Sequence, residues 1–136
     1  MIDVRVQSGD FDPGHQLERL RALGRPAIAS LLVASEAADD VTALVVEHYA
    51  GMARAELERI AAEAGERWPL DGIILIHRHG RFAPGDRLLF VGVAAQAREA
   101  AFASVPFLAA AIRERAPFWR KELLAGGGAR WPAPRG

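Results

Sequence analysis

The stretch Arg113-Glu-Arg-Ala-Pro-Phe-Trp-Arg-Lys-Glu122 places four cations and two aromatic rings in ten residues. Its Lys121 is the only lysine among seventeen lysines and arginines. The difference matters chemically. An amine can give up its proton and act as base or nucleophile, and a guanidinium effectively cannot. The arginines, Arg113 and Arg120, have planar forks that grip phosphate or carboxylate through paired hydrogen bonds. Phe118 or Trp119 could stack on a planar ring. Arg98 falls where a helix is expected to begin, and free amides and the helix dipole favour an anion there. Arg135 lies on the C-terminal tail. Together these residues point to recognition of a small anionic heterocycle, with Lys121 the amine left for proton transfer. The competing reading makes Phe118 and Trp119 core residues flanked by surface charge.

Other chemistries find less support. There is no cysteine, hence no disulfide, thiolate metal site or thiol nucleophile. His77 and His79 are two apart on an expected strand and share a face, but a zinc site needs further ligands, and His48 has no evident place beside them. No metal and no cofactor is assigned. Glycines 80, 85 and 92 form no phosphate-binding loop. Glu47 and His48 are adjacent on a strand and point to opposite faces, so they cannot work as a pair. The net charge is zero, yet seven basic and three acidic residues from Arg98 onward give +4, which leaves −4 before it. A basic C-terminal third in a neutral chain suits a local anion site rather than a nucleic-acid surface. No apolar run is long enough to cross a bilayer and the N-terminus has no signal-peptide pattern, so a cytoplasmic location is expected.

The elements that must position these residues follow from the pattern. Ile2, Val4 and Val6 alternate as a strand. Asp12-Pro13 caps a helix over 13–23 that Gly24 stops. Residues 27–34 read as a buried strand, 35–40 as an acidic loop, and 41–49 as another strand. A helix over 52–67 carries a stripe of Met52, Leu57, Ile60, Ala61 and Ala64. Strands at 73–79 and 88–94 flank the turn at residues 83–86 and form an antiparallel hairpin. A helix over 97–115 presents Phe102, Val105, Leu108 and Ile112, with Pro106 a potential kink. The order β-α-β-β-α-β-β-α argues for an α+β domain spanning residues 1–136, with three main helices, an antiparallel sheet and a flexible tail from about residue 126.

Several blocks are similar to the catalytic (large) subunit of molybdopterin synthase. They are Val45-Val-Glu-His-Tyr-Ala-Gly-Met52, Glu66-Arg-Trp-Pro-Leu70, Ile76-His-Arg-His-Gly80, Pro84-Gly-Asp86, Phe90-Val-Gly-Val93, and Ala116-Pro-Phe-Trp119 with Lys121-Glu122. The resemblance covers nearly the whole chain. It implies an α/β-hammerhead-like fold and a homodimer within a heterotetramer. The implied partner is a small ubiquitin-like sulfur carrier ending in Gly-Gly thiocarboxylate. The implied reaction transfers sulfur to cyclic pyranopterin monophosphate in molybdenum cofactor biosynthesis. Arg98, Arg113, Arg120 and Arg135 would hold anionic groups, and the family's lysines stand at the positions of Arg113 and Arg120. The family's histidine before Arg98 is Ala97 here, and its Gly-x-x-Arg segment has no counterpart in 33–40. The alternative is a dimeric paralogue that binds the pterin or the partner without turnover.

Overall fold

The computed structural model describes residues 1–36 and 38–131. Two four-stranded sheets and three helices make a mixed α+β fold. The elements are β1 (Ile2–Gln7), α1 (Pro13–Arg21), β2 (Ala27–Ala34), β3 (Val41–His48), α2 (Ala50–Arg67), β4 (Leu70–Arg78), β5 (Gly80–Phe82), β6 (Arg87–Ala95), α3 (Arg98–Arg115), β7 (Phe118–Leu124) and β8 (Ala129–Arg130). The first sheet runs β1-β4-β6-β2 and the second β5-β3-β7-β8. All pairings are antiparallel except β1 with β4, which is parallel.

The continuous apolar run in β4 reflects burial on both faces of the first sheet. Ile73 and Leu75 join the large core with Leu57 and Ile60 of α2 and Leu108 and Ile112 of α3. Ile74 and Ile76 face the other way, into a smaller cluster with Phe11, Leu20 of α1 and Phe90. A Cβ on Gly92 would lie 2.6 Å from the Phe90 ring and 2.7 Å from Leu20, so a larger residue at that point of β6 would force both to shift.

The core faces expected of α2 and α3 hold in part, with Leu57, Ile60, Ala61, Ala64, Leu108 and Ile112 buried as expected. In α2 the stripe is Ala53, Leu57, Ile60, Ala61 and Ala64, and Met52 is 61% exposed. In α3 Phe102 is 80% exposed, while Ala101, Ser104, Leu108, Ala111 and Ile112 face inward. In α1 Leu20 is buried beside Gln16, and Leu17 and Leu23 stay exposed. Small residues let helices sit close to a sheet, so alanines rather than larger side chains mark the contact. Helix α3 runs unbroken through Pro106, on its exposed side.

The hairpin of β4 and β6 forms as expected but has an extra element at its turn. Gly80 takes φ 124°, open only to glycine at low cost, and β5 leaves the first sheet to pair with β3. A crossing between sheets is therefore made by one residue. The second departure is at the C-terminal end. The glycines at 126–128 turn the chain so that Ala129–Arg130 pairs with β7, where a loose tail was expected. Arg130 ties this strand to Asp40 at 3.1 Å and to Glu122 at 3.3 Å. Arg135 lies outside the described residues.

Candidate active site

Proline sets the geometry of the basic segment. The residue before Pro117 is driven out of the helical region, and Ala116 ends α3 at φ −70°, ψ 131°. The chain then turns at once into β7, with the Phe118 amide donating to the Ala116 carbonyl at 2.8 Å. Strand β7 pairs in register with β3, placing Trp119 opposite Glu47 and Phe118 opposite His48. The two motif blocks that differ most from ordinary core sequence, some seventy positions apart, are thus cross-strand neighbours.

A regular strand settles where Lys121 stands. Successive side chains point to opposite faces, so Phe118 and Arg120 share one face with Val46 and His48. Trp119 and Lys121 share the other with Glu47 and Val45. The segment after Pro117 is not helical, and the amine and the Arg120 guanidinium are on opposite sides of one sheet.

On the Arg120 face lies a column of flat rings. His77, on β4, is 5% exposed and stacks on Phe118 with ring centroids 3.6 Å apart and planes 6° apart. His48 stacks against Phe118 at 5.8 Å and against His79 at 3.9 Å. The His77 Nδ1 lies 2.9 Å from the Arg78 carbonyl. A carbonyl only accepts, so Nδ1 carries the proton and Nε2 is bare. Burial pushes the His77 pKa down to about 4; the Arg78 hydrogen bond opposes this, while the charge of Arg120 and the nearby His48 and His79 reinforces it. Burial and the neighbouring His48 lower the pKa of His79 as well.

The opposite face is polar and open. Trp119 Nε1 donates to the Glu47 carboxylate at 2.8 Å, and its ring lies 4.8 Å from that of Tyr49. Phe118 therefore packs against the large core, while Trp119 keeps a ring edge in solvent.

The remaining arginines separate into two groups. Arg113 is exposed in the last turn of α3, one corner away from β7. Arg115 is held by Glu56 at 2.8 Å and by Glu63, which fastens α3 to α2. Arg98 opens the same helix beside a cavity of about 320 Å³ that Phe102 and β2 residues line. At a rise of 1.5 Å per residue, Arg98 and Arg113 are about 22 Å apart along the axis. The length of α3 separates Arg98 from Arg113, whereas Arg113 and Arg120 are seven residues apart across the Pro117 corner. Among the described residues no three His, Cys, Asp or Glu side chains gather as a metal set.

The family model described as MoaE protein matches residues 24–115. The chain belongs to the MoaE family. A molybdopterin synthase catalytic subunit from Mesorhizobium japonicum is 45% identical over 128 residues, covering 91% of this chain and 80% of the relative. A solved molybdopterin biosynthesis MoaE protein from Burkholderia ambifaria superposes with TM-score 0.85 at 39% identity, covering all of this chain and 92% of that one. A structure described as the complex of subunits 1 and 2 of molybdopterin-converting factor from Helicobacter pylori shares the fold, with TM-score 0.79 at 17% identity over 97% of this chain and 91% of that one. Function follows the family: this MoaE chain is a molybdopterin synthase catalytic subunit.

The ring column escaped sequence reasoning because its members come from three separate strands. One signal was available. His77 follows Ile73 and Leu75 at spacing two, which puts an imidazole on a core face.

Proposed function

We infer that the chain passes sulfur from the C-terminal thiocarboxylate of a small ubiquitin-like partner to cyclic pyranopterin monophosphate, using arginine where the family uses lysine. The observation that carries this reading is the registered pairing of β3 with β7, which puts Arg120 on the same face of the sheet as the stacked rings of Phe118, His77 and His48. A thiocarboxylate is already an anion, so its sulfur can attack without a base to deprotonate it. Each attack displaces an oxygen substituent from the pterin carbon, and water then cleaves the resulting thioester, leaving the sulfur on the pterin and a carboxylate on the partner. What the attack requires is positive charge where negative charge grows on the pterin, and a fixed guanidinium supplies that as well as an ammonium. Arg113 and Arg120 serve this role and grip the phosphate. Phe118 backs the Arg120 face, whereas Trp119 shares the face of Lys121 and is not at the reacting centre. Lys121, on the far face, is outside the reacting centre.

The Arg98 guanidinium belongs to the same function through a second copy. Its distance from Arg113 along α3 means that a single phosphate cannot touch both in one chain, so a site that uses both needs a second copy. The small partner follows from the Helicobacter pylori relative, whose two subunits form a complex. Among the described residues no helix is long and apolar enough to cross a membrane, and we place the reaction in the cytoplasm with its anionic substrate.

Incubation of the purified chain with thiocarboxylated partner and cyclic pyranopterin monophosphate tests the reading. Dithiolene product is expected. Absence of product at high protein concentration, with the partner still bound, would overturn it in favour of a binding paralogue.

A further inference from the structure

His77 makes the closest ring contact of the column, yet the sulfur-transfer reading gives it no task. It is buried on β4, in the first sheet, while the arginine it approaches is on β7, in the second. Its ring lies flat on Phe118, two residues before Arg120 on the same face. The groups facing it are Arg120 from β7, His48 from β3 and His79 from the chain just beyond β4. The hydrogen bond from Nδ1 to the Arg78 carbonyl fixes the orientation of the imidazole. A side chain so held cannot rotate without breaking both the stack and that bond.

We propose that His77 is a positioning residue for substrate binding: its flat imidazole clamps Phe118 and thereby sets the place and direction from which Arg120 meets the anionic group of the pterin. This rests on the reading of Arg120 given above. The clamp works because the ring carries no charge of its own. A protonated imidazole here would face Arg120 and two further histidines in a buried setting, so the neutral tautomer is the one that packs. The outcome is an uncharged support under the strand that carries Arg120, which pre-organises the anion contact.

Steady-state kinetics on three variants test the proposal. His77→Leu removes the flat ring and should raise KM for the pterin about tenfold while kcat changes less than about twofold. His77→Phe restores a flat ring and should return KM close to that of the unaltered chain. Arg120→Gln should raise KM by at least as much, and His77→Leu added to it should cost nothing further, because the two act through one contact. An unchanged KM in His77→Leu, or effects that multiply in the double variant, would overturn the proposal and leave the role of Arg120 standing. An unchanged KM in Arg120→Gln would remove the reading of Arg120 and the clamp with it. A purely structural histidine would lower the melting temperature and active fraction in both His77 variants without moving KM. If leucine at this position prevents folding, nitrogen-15 imidazole spectra of the unaltered protein decide. His77 should show the neutral Nδ1–H form at about pH 6, and Arg120→Gln should move its titration upward. A charged His77 at that pH, or a titration indifferent to Arg120→Gln, would sink the idea.

Discussion

The two faces of β7 differ more than their residues suggest. Arg120 and Lys121 are neighbours in sequence and both cationic, but one shares its face with stacked rings joined to the large core and the other with Val45 and the Trp119–Glu47 pair. The inner face is held by packing from two sheets. The outer face is held by one indole hydrogen bond to Glu47 and the contact with Tyr49. The face of the strand, rather than residue type, separates the two cations. A strand achieves the separation because its side chains alternate every residue. A helix would have turned Lys121 by only about 100° from Arg120.

The sharpest way to probe the inner face is acid. An unfolded imidazole titrates near 6.5 and the folded His77 at about 4. Between those values the unfolded chain binds the extra proton. The stability due to a neutral His77 is therefore complete above about pH 6.5 and is lost as the pH falls towards 4, by about 3 kcal/mol across the window. Asp3 and Glu56, whose pKa values are also lowered, act in the same direction but in more acid solution. Denaturant midpoints at several pH values should show the loss, and His77→Phe should flatten the profile. A profile equally steep in that variant would break the contrast between the faces.

Next in size, Arg120→Ala should lower kcat/KM about 100-fold, the loss expected when a charge-assisted contact of 2–3 kcal/mol disappears. The sulfur-transfer assay with thiocarboxylated partner reads it directly. Loss of a comparable factor in Lys121→Ala would place the reacting centre on the wrong face in our description. Arg120→Lys keeps the charge but not the fork and should fall between, within about tenfold of the unaltered chain.

The outer face should respond less. Trp119→Phe deletes the indole N–H that meets Glu47 and should cost about 1 kcal/mol of stability, measured by thermal unfolding. Lys121→Ala completes the series, with turnover changed by less than about twofold.

Much of the fold was legible because its signals are local. The Asp12 cap with Pro13 at the helix start appears as expected, the Asp12 side chain accepting from Gly14. The hairpin of β4 with β6 likewise follows from two apolar runs around a Pro-Gly turn. What was missed depended on partners far away in sequence. Phe102 reads as core by its chemistry, but α3 turns its alanines to the sheet. Short β5 was hidden because its pairing depends on Gly80 bending the chain towards β3. The site divided in the same manner. Arg98, Arg113 and Arg120 are visible as charges in the sequence, whereas the His77–Phe118 stack needs three strands assembled first.

The sequence by itself determined the cations available, the absence of any thiol, the helix boundaries marked by Asp12 and Pro117, and the family. These are properties of residue type and near neighbours, which need no folded partner. Only the tertiary structure decided that Lys121 and Arg120 face apart and that Arg115 is occupied by Glu56 and Glu63. Each depends on which strand lies beside β7 and which helix lies under α3. Those pairings are fixed by long-range packing of side chains, and no stretch of adjacent residues encodes them alone.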